Sequence, residues 1–298
     1  MAIGYICLMI SVLAGCTKGY FGKRISGLTR GMAASVWVNL IRLCLCVGIS
    51  FLVGGAGLLQ GGSSLDLPAV LTGIFYGLTS AFFLVSWLIC ARNGTYMLIN
   101  IFLMLGMLIT LILNSLFLPG EEITLIQWGG ILLLIIAVLI MYSYNTGQRG
   151  KMKPSALLLL FACGISEGLG GFAQKLFQHH SESDTAFFTL ISYGVAAVVL
   201  SGALWLPSVR REQVRPWPLV KHTFPYVAVM AVCLFLNSYF KTEAAAPGRL
   251  TGAQLYPVYE SVGLILSVCM SHFFFKEKAT LRCIAGCVLA FGAVLLLK

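Results

Sequence analysis

The sequence predicts an all-α polytopic membrane protein of about ten transmembrane helices, built as two inverted five-helix repeats. Three observations lead there. The composition is too apolar for a water-soluble packing, the chain divides into ten apolar stretches of spanning length, and its second half echoes its first.

Of the 298 residues, 59% are hydrophobic and 10% charged, against roughly 25% charged in an ordinary soluble domain. A soluble core of this size would still leave about a quarter of its chain surface outside. With so few charges, that exterior must face lipid. The net charge of +10 does not indicate a nucleic-acid partner, because Lys and Arg stand singly or in short groups between apolar runs and form no continuous basic face. The ten cysteines fall inside apolar segments and read as small buried hydrophobes rather than disulfide or metal ligands. No cofactor and no metal are implied.

A membrane helix needs about 20 mostly apolar residues. Such runs lie at 3–22, 32–54, 68–90, 95–118 and 124–145 in the first half, and at 155–178, 184–206, 223–243, 250–275 and 279–297 in the second. The first run has a signal peptide's apolarity but no basic region before it and no clear cleavage site, so it is expected to be a span. Connections after the odd-numbered spans carry nearly all the loop cations, from Lys23 and Arg24 to Lys276 and Lys278. The others carry Asp66, Glu121, Glu122, Glu182 and Asp184, with Arg249 as the one clear cation. The positive-inside bias then puts the odd connections in the cytoplasm and both termini outside, in what is expected to be a bacterial cytoplasmic membrane.

At an offset of 156, residues 121–140 match 277–296 at eight positions, including Glu121 with Glu277, Thr124 with Thr280 and Gly130 with Gly286. At an offset of 149, Gly15, Thr17, Lys18 and Gly19 align with Gly164, Ser166, Glu167 and Gly168. The expected units are 1–146 and 154–298, together one membrane domain. Five helices per unit is an odd number, so the second copy enters the membrane with the opposite orientation. Such repeats are related by an axis in the membrane plane and place a site between them near the midplane.

Each half also ends alike: an apolar helix, a short turn with an acid (PGEEIT at 119–124, KEKAT at 276–280) and a Gly-containing last helix. With Pro257 early in the ninth span, the stretch LYPVYESVGLILSVCMSHFFFKEKATLRCIAGCVLAFGAVLLL resembles the ten-helix EamA-like carriers of the drug/metabolite transporter superfamily, and the resemblance covers nearly the whole chain. It implies transport without fixing cargo, since that superfamily moves amino acids, nucleobases, sugar phosphates, nucleotide sugars, quaternary amines and drugs. The Gly-Ala-Leu-Asn-Lys type motif of nucleotide-sugar carriers is missing. Lys18 stands in the first span, where the small four-helix multidrug members have an acid, so neither cargo is favoured.

A charge at mid-span costs roughly 2.5 to 3.5 kcal/mol on insertion scales and usually faces an interior cavity. Glu167 lies midway in the sixth span, on one face with Gly171 and Gln174. It is read either as a site residue or as a partner of Lys18 or Lys175 beside a close Gly164/Gly168 helix contact. Glu260 lies mid-span in the ninth, on a stripe with Tyr256, Gly263 and Ser267; an acid beside an aromatic suits an amine-bearing solute. Pro257 marks either a bend beside the cavity or a plain kink. Lys241, four residues after Asn237, is read either as a partner for an anionic group or as a snorkelling interface lysine. Lys18 carries the same ambiguity. Asn100 and Tyr76, with Thr79, are candidates for hydrogen bonds to cargo or for interhelical contacts. Arg42 is expected to brace the fold or reach a headgroup.

The expected substrate-binding set is thus Glu167, Glu260, Tyr256, Lys241, Asn237, Gln174, Asn100, Tyr76 and Lys18, with no catalytic residue. The expected function is secondary transport of a small amino-acid-like, amine or other charged or zwitterionic metabolite. Alternating access would drive it, with proton coupling or exchange, in a monomer or homodimer. The other reading is a flippase for a lipid-linked substrate or an accessory export subunit. An embedded enzyme is disfavoured because no nucleophile-base pair or metal-ligand cluster stands out.

Overall fold

The computed structural model describes residues 2–29, 31–59, 66–94, 96–121, 123–149, 153–212, 214, 216–276 and 280–297. Among them the chain forms ten helices of 17 residues or more, one short helical turn and no strand. The first half gives α1 (Ala2–Ser26), α2 (Met32–Leu59), α3 (Leu67–Asn93), α4 (Tyr96–Phe117) and α5 (Leu125–Arg149). The second gives α6 (Pro154–His180), α7 (Thr185–Ala203), the single turn α8 (Pro207–Arg210), α9 (Pro216–Ala244), α10 (Gly252–Phe273) and α11 (Leu281–Leu297). The ten expected spans are all present as helices. Two differences are local: the seventh connection holds α8, and α9 starts at Pro216 rather than 223. Arg30, Glu122, Lys151, Arg215, Glu277 and Lys278 lie outside the described residues, as does most of the short junction between the halves.

Seven of these helices are long and apolar enough to cross a membrane, and α5 and α11 hold the shorter apolar segments Leu125–Ile140 and Ile284–Leu296. The polar first half of α10, with Gln254, Tyr256, Pro257, Tyr259 and Glu260, lowers that helix's hydropathy. Apolar side chains cover the outside of the bundle as well as its core. Leu125 is 88% exposed and Leu52 77%, whereas Thr189, Ser192 and Thr242 are fully enclosed. Lipid accepts leucine and offers hydroxyls nothing, so polar groups turn inward and join helices. Ser11 Oγ donates to Asn237 O at 2.8 Å, and Asn237 Nδ2 returns a bond to Ser11 O at 2.8 Å, tying α1 to α9. Gln174 Nε2 reaches Thr242 Oγ1 at 3.0 Å between α6 and α9. Two of the cysteines, Cys44 and Cys269, face outward, contrary to the expectation that all are buried.

The packing of helix on helix maps onto itself when α1 to α5 are exchanged with α6, α7, α9, α10 and α11. Thus α1 packs on α9 and α6 on α3; α4 on α6 and α10 on α1; α2 on α9 and α7 on α3; α4 on α5 and α10 on α11. The remaining major contacts, α2 with α7, α4 with α10 and α5 with α11, join equivalents. This is the pattern expected of two five-helix repeats. It is not perfectly obeyed, for the α4–α6 contact is far more extensive than its counterpart α1–α10.

Most acids outside the interior sit at helix starts, where the dipole and unpaired N–H groups welcome them. Asp66 accepts from Ala69 N at 2.8 Å, Asp184 from Ala186 N at 2.7 Å, Glu121 from Gly252 N at 3.0 Å, and Glu212 from Ala33 N at 2.8 Å. Asp66 also accepts from Glu182 N at 2.9 Å and Ser181 Oγ at 2.8 Å, pinning the α6–α7 connection to the start of α3. Partial burial works against its charge, but these hydrogen bonds and the Ser183 side chain outweigh burial and hold the carboxyl below its ordinary value. A carboxyl depressed on folding stabilises above its unfolded pKa of about 4 and loses that contribution as pH falls through the folded value. In detergent, thermal stability is expected to drop as the pH is lowered below about 4, and Asp66→Ala, which removes the cap oxygens, to be less stable at pH 7 by about 1 kcal/mol. A variant melting with the parent at pH 7 would remove Asp66 from this role.

Candidate functional site

The site begins with glycines. Gly106 on α4 faces Gly164 and Gly168 on α6. A Cβ at Gly164 would lie 2.8 Å from Phe102 O, and one at Gly168 would collide with Gly106 O. Backbone therefore rests on backbone, and Thr110 Oγ1 closes the seam with a 2.8 Å bond to Gly168 O. The equivalent stripe of the first repeat, Gly15 and Gly19 on α1, meets instead the hydroxyls of Tyr259 and Tyr96. Gly263 on α10, within one residue of the repeat equivalent of Gly106, has nothing within 4 Å of its Cβ position. Where the first seam is closed, its counterpart is open, and a cavity fills the difference.

The cavity has two lobes. The larger, about 780 Å³ of space between atoms, lies among α1, α2, α3, α4, α6 and α10. The smaller, about 430 Å³, lies among α1, α3, α6, α7 and α9. Lys18, Phe83, Leu84 and Glu167 line both. The larger lobe draws on the cation-rich ends of its helices, with Gly19, Trp87, Tyr96 and Ser267 toward that side. The acidic side is sealed across the repeats. There Lys175 on α6 pairs with Glu121 at 3.3 Å and donates to Ala245 O and Leu250 O, while Arg249 pairs with Glu243 at 2.6 Å.

Five charged side chains line the two lobes: Lys18, Arg42, Lys241, Glu167 and Glu260. Glu167 pairs with Lys241 at 3.4 Å, rather than with Lys18 or Lys175. Lys241 also stands 4.9 Å from the Tyr259 ring centre and 5.8 Å from that of Tyr256, so it is enclosed and does not snorkel. Lys18 reaches Asn237 Oδ1 at 3.4 Å and lies 6.0 Å from the Phe83 ring centre. Among the described residues Glu260 and Arg42 have no hydrogen bond and no ion pair. Each unpaired mid-span charge costs roughly 2.5 to 3.5 kcal/mol on insertion scales, so a fold that keeps both inside is storing interaction for something else.

Of the nine expected residues, Lys18, Asn100, Glu167 and Glu260 line the larger lobe, and Tyr76, Asn237 and Lys241 the smaller. Gln174 and Tyr256 line neither lobe. Gln174 braces α6 against α9, and Tyr256 donates to Gly171 O at 2.7 Å to brace α10 against α6. Both share a helical face with a cavity acid but sit further along it, where that face meets a neighbouring helix. Asn237 does double duty, since its Nδ2 also donates to Tyr259 Oη at 2.8 Å. Two residues outside the expected set belong here. Tyr259 was hidden by its place one residue off the Glu260 stripe, and Arg42 is a wall of the larger lobe instead of a brace or headgroup ligand. Only its position in mid-span could have pointed to it.

The model of the EamA-like transporter family matches residues 154–298. A crystal structure described only as that of a protein aligns with 99% of this chain and 94% of its own, with a TM-score of 0.66 at 15% identity, which speaks for the fold alone. No curated protein matches. The second repeat of this chain, residues 154–298, belongs to the EamA-like transporter family, and the protein is a membrane transporter of the drug/metabolite transporter superfamily.

Proposed function

We propose that this protein is a secondary carrier that moves a small charged or zwitterionic organic metabolite across the bacterial cytoplasmic membrane by alternating access, with both termini outside. The observation that carries this reading is the unequal pair of glycine seams: Gly106 against Gly164 and Gly168 is closed, while Gly263 faces space beside Gly15 and Gly19. Two repeats of one design hold one contact in each of two conditions, so exchanging them generates the opposite-facing state. The charged lobes at the closed end of the cavity are the place for cargo. Glu260, with no partner among the described residues, is the group that binds a proton and cargo in alternation, coupling transport to protons or to exchange.

Three outcomes test this. In intact cells, with native cysteines removed, an impermeant thiol reagent is expected to label Asp184→Cys and not Lys151→Cys; the reverse pattern inverts the orientation. In liposomes, Glu260→Gln and Glu167→Gln are expected to lower counterflow at least tenfold with expression intact, and parental transport by both from pH 5 to 8 would exclude these acids. Gly263→Ala has room for its one added carbon in the present state but obstructs closure of the second seam. It should therefore keep the ligand-induced rise in melting temperature while losing counterflow. Full turnover in that variant would refute the seam exchange.

A further inference from the structure

The proposed site contains an anion subsite that the lysine of the central ion pair does not supply. With Glu167 satisfied by Lys241, three charges in the larger lobe remain: Lys18, Arg42 and Glu260. Arg42 is 3% exposed and its buried Nε has no hydrogen-bond partner. Lys18 has a single long bond to a neutral amide oxygen. Neither cation has a carboxylate in hydrogen-bonding reach among the described residues.

Depth argues against a lipid headgroup. At ~1.5 Å per residue, Arg42 lies ~15 Å from the start of α2 and Lys18 ~12 Å from the end of α1, both measured from the cation-rich side. That is near the middle of a hydrocarbon core of ~30 Å, and both side chains line the cavity. Glu260 lies ~20 Å from the same side, roughly 5 to 8 Å deeper than the two cations. A guanidinium presents its N–H donors as a flat fork that fits two oxygens of one oxyanion, and an ammonium adds a point charge beside it.

We infer that Lys18 and Arg42 form the receptor for a carboxylate or phosphate at one end of the cargo, with Glu260 taking an amine at the other. The three charges leave the lobe one positive charge in excess. The solute that neutralises it carries a net charge of −1, as an amine bearing two carboxylates or one phosphate monoester does. This rests on the transport reading above, whose cargo it narrows from any charged or zwitterionic metabolite to an amine-bearing organic anion.

The test uses the purified full-length protein and ranks aspartate and phosphoethanolamine against alanine, putrescine, succinate and inorganic phosphate by thermal shift. Aspartate or phosphoethanolamine is expected to bind at least tenfold more tightly than the other four, and Arg42→Gln and Lys18→Gln each to weaken that binding tenfold or more. Should Arg42→Gln not fold, Arg42→Lys, which keeps the charge but not the fork, is expected to weaken binding by a smaller factor. Putrescine binding as tightly as aspartate overturns the anion subsite, and alanine doing so overturns the net charge of −1 assigned to the cargo. Succinate or phosphate doing so overturns the amine end, and variants binding like the parent overturn the assignment of Lys18 and Arg42. Liposome uptake separates the two claims. Transport of alanine or putrescine that is indifferent to Arg42 leaves the carrier standing and removes the subsite, whereas Arg42-dependent binding of aspartate with no solute moved keeps the subsite and removes the carrier.

Discussion

The contact on which the rest of the molecule depends is the backbone-to-backbone approach of α4 to α6. Only residues without a Cβ allow it, since Gly106, Gly164 and Gly168 each place a hydrogen where any side chain would strike a main-chain oxygen or nitrogen. Lipid supplies no hydrophobic drive for helix association, so close van der Waals packing and interhelical hydrogen bonds must hold the bundle. Once α4 is drawn onto α6, α10 cannot be drawn equally onto α1 without closing the interior on both sides. The open seam at Gly263 and the cavity beside it are the complement of the closed one.

Enclosing charge is the second constraint, and it follows from the first. The cavity created by the unequal seams is where a membrane protein can keep five ionisable side chains at mid-depth, because there they face one another and space for polar solute rather than acyl chains. Their arrangement is not a neutral network. One pair, Glu167 with Lys241, is self-satisfied and backed by two tyrosine rings, which fixes α6 to α9 near the centre. The others are held apart on α1, α2 and α10, each anchored on a different part of the repeat interface. A site divided over several helices would feel any shift of one helix against another directly.

Much of this was legible in the sequence, for physical reasons. The bilayer demands long apolar helices, so the ten spans could be read by length, and the glycine echo between residues 15–19 and 164–168 survived because close approach tolerates no substitute. Glu167 and Glu260 were visible as costly mid-span charges. What a one-dimensional pattern cannot show is which neighbour a helical face meets. Gln174 and Tyr256 share a stripe with the cavity acids yet are consumed in bracing, whereas Arg42 and Tyr259 fell outside the expected set and line the wall. The partner of Lys241 was equally hidden, because an ion pair between α6 and α9 depends on how the first helices of the repeats cross the third.

On the alternating-access reading proposed above, the seal on the acidic side is what favours the state described here over its counterpart. Glu121 serves Lys175 at 3.3 Å and Gly252 N at 3.0 Å at once, so a single carboxylate in the α4–α5 connection of the first repeat locks α6 and the start of α10 of the second. Hydrogen bonds to a charged group contribute about 1.5 to 3 kcal/mol, enough to set a bias of one to two orders of magnitude between states without making it irreversible. On the cation-rich side Lys23 on α1 donates to Ala91 O and Gly94 O at the end of α3, matching Lys175 on α6, which donates to Ala245 O and Leu250 O past the end of α9. A lysine toward the end of each repeat's first helix therefore holds carbonyls at or just past the end of the third long helix of its own repeat. With latches of one design on both faces, the free-energy gap is a difference between similar terms. On the proposed reading, a cargo would reverse the bias only by interacting more strongly in one state than in the other, since tight binding that is equal in both would shift nothing.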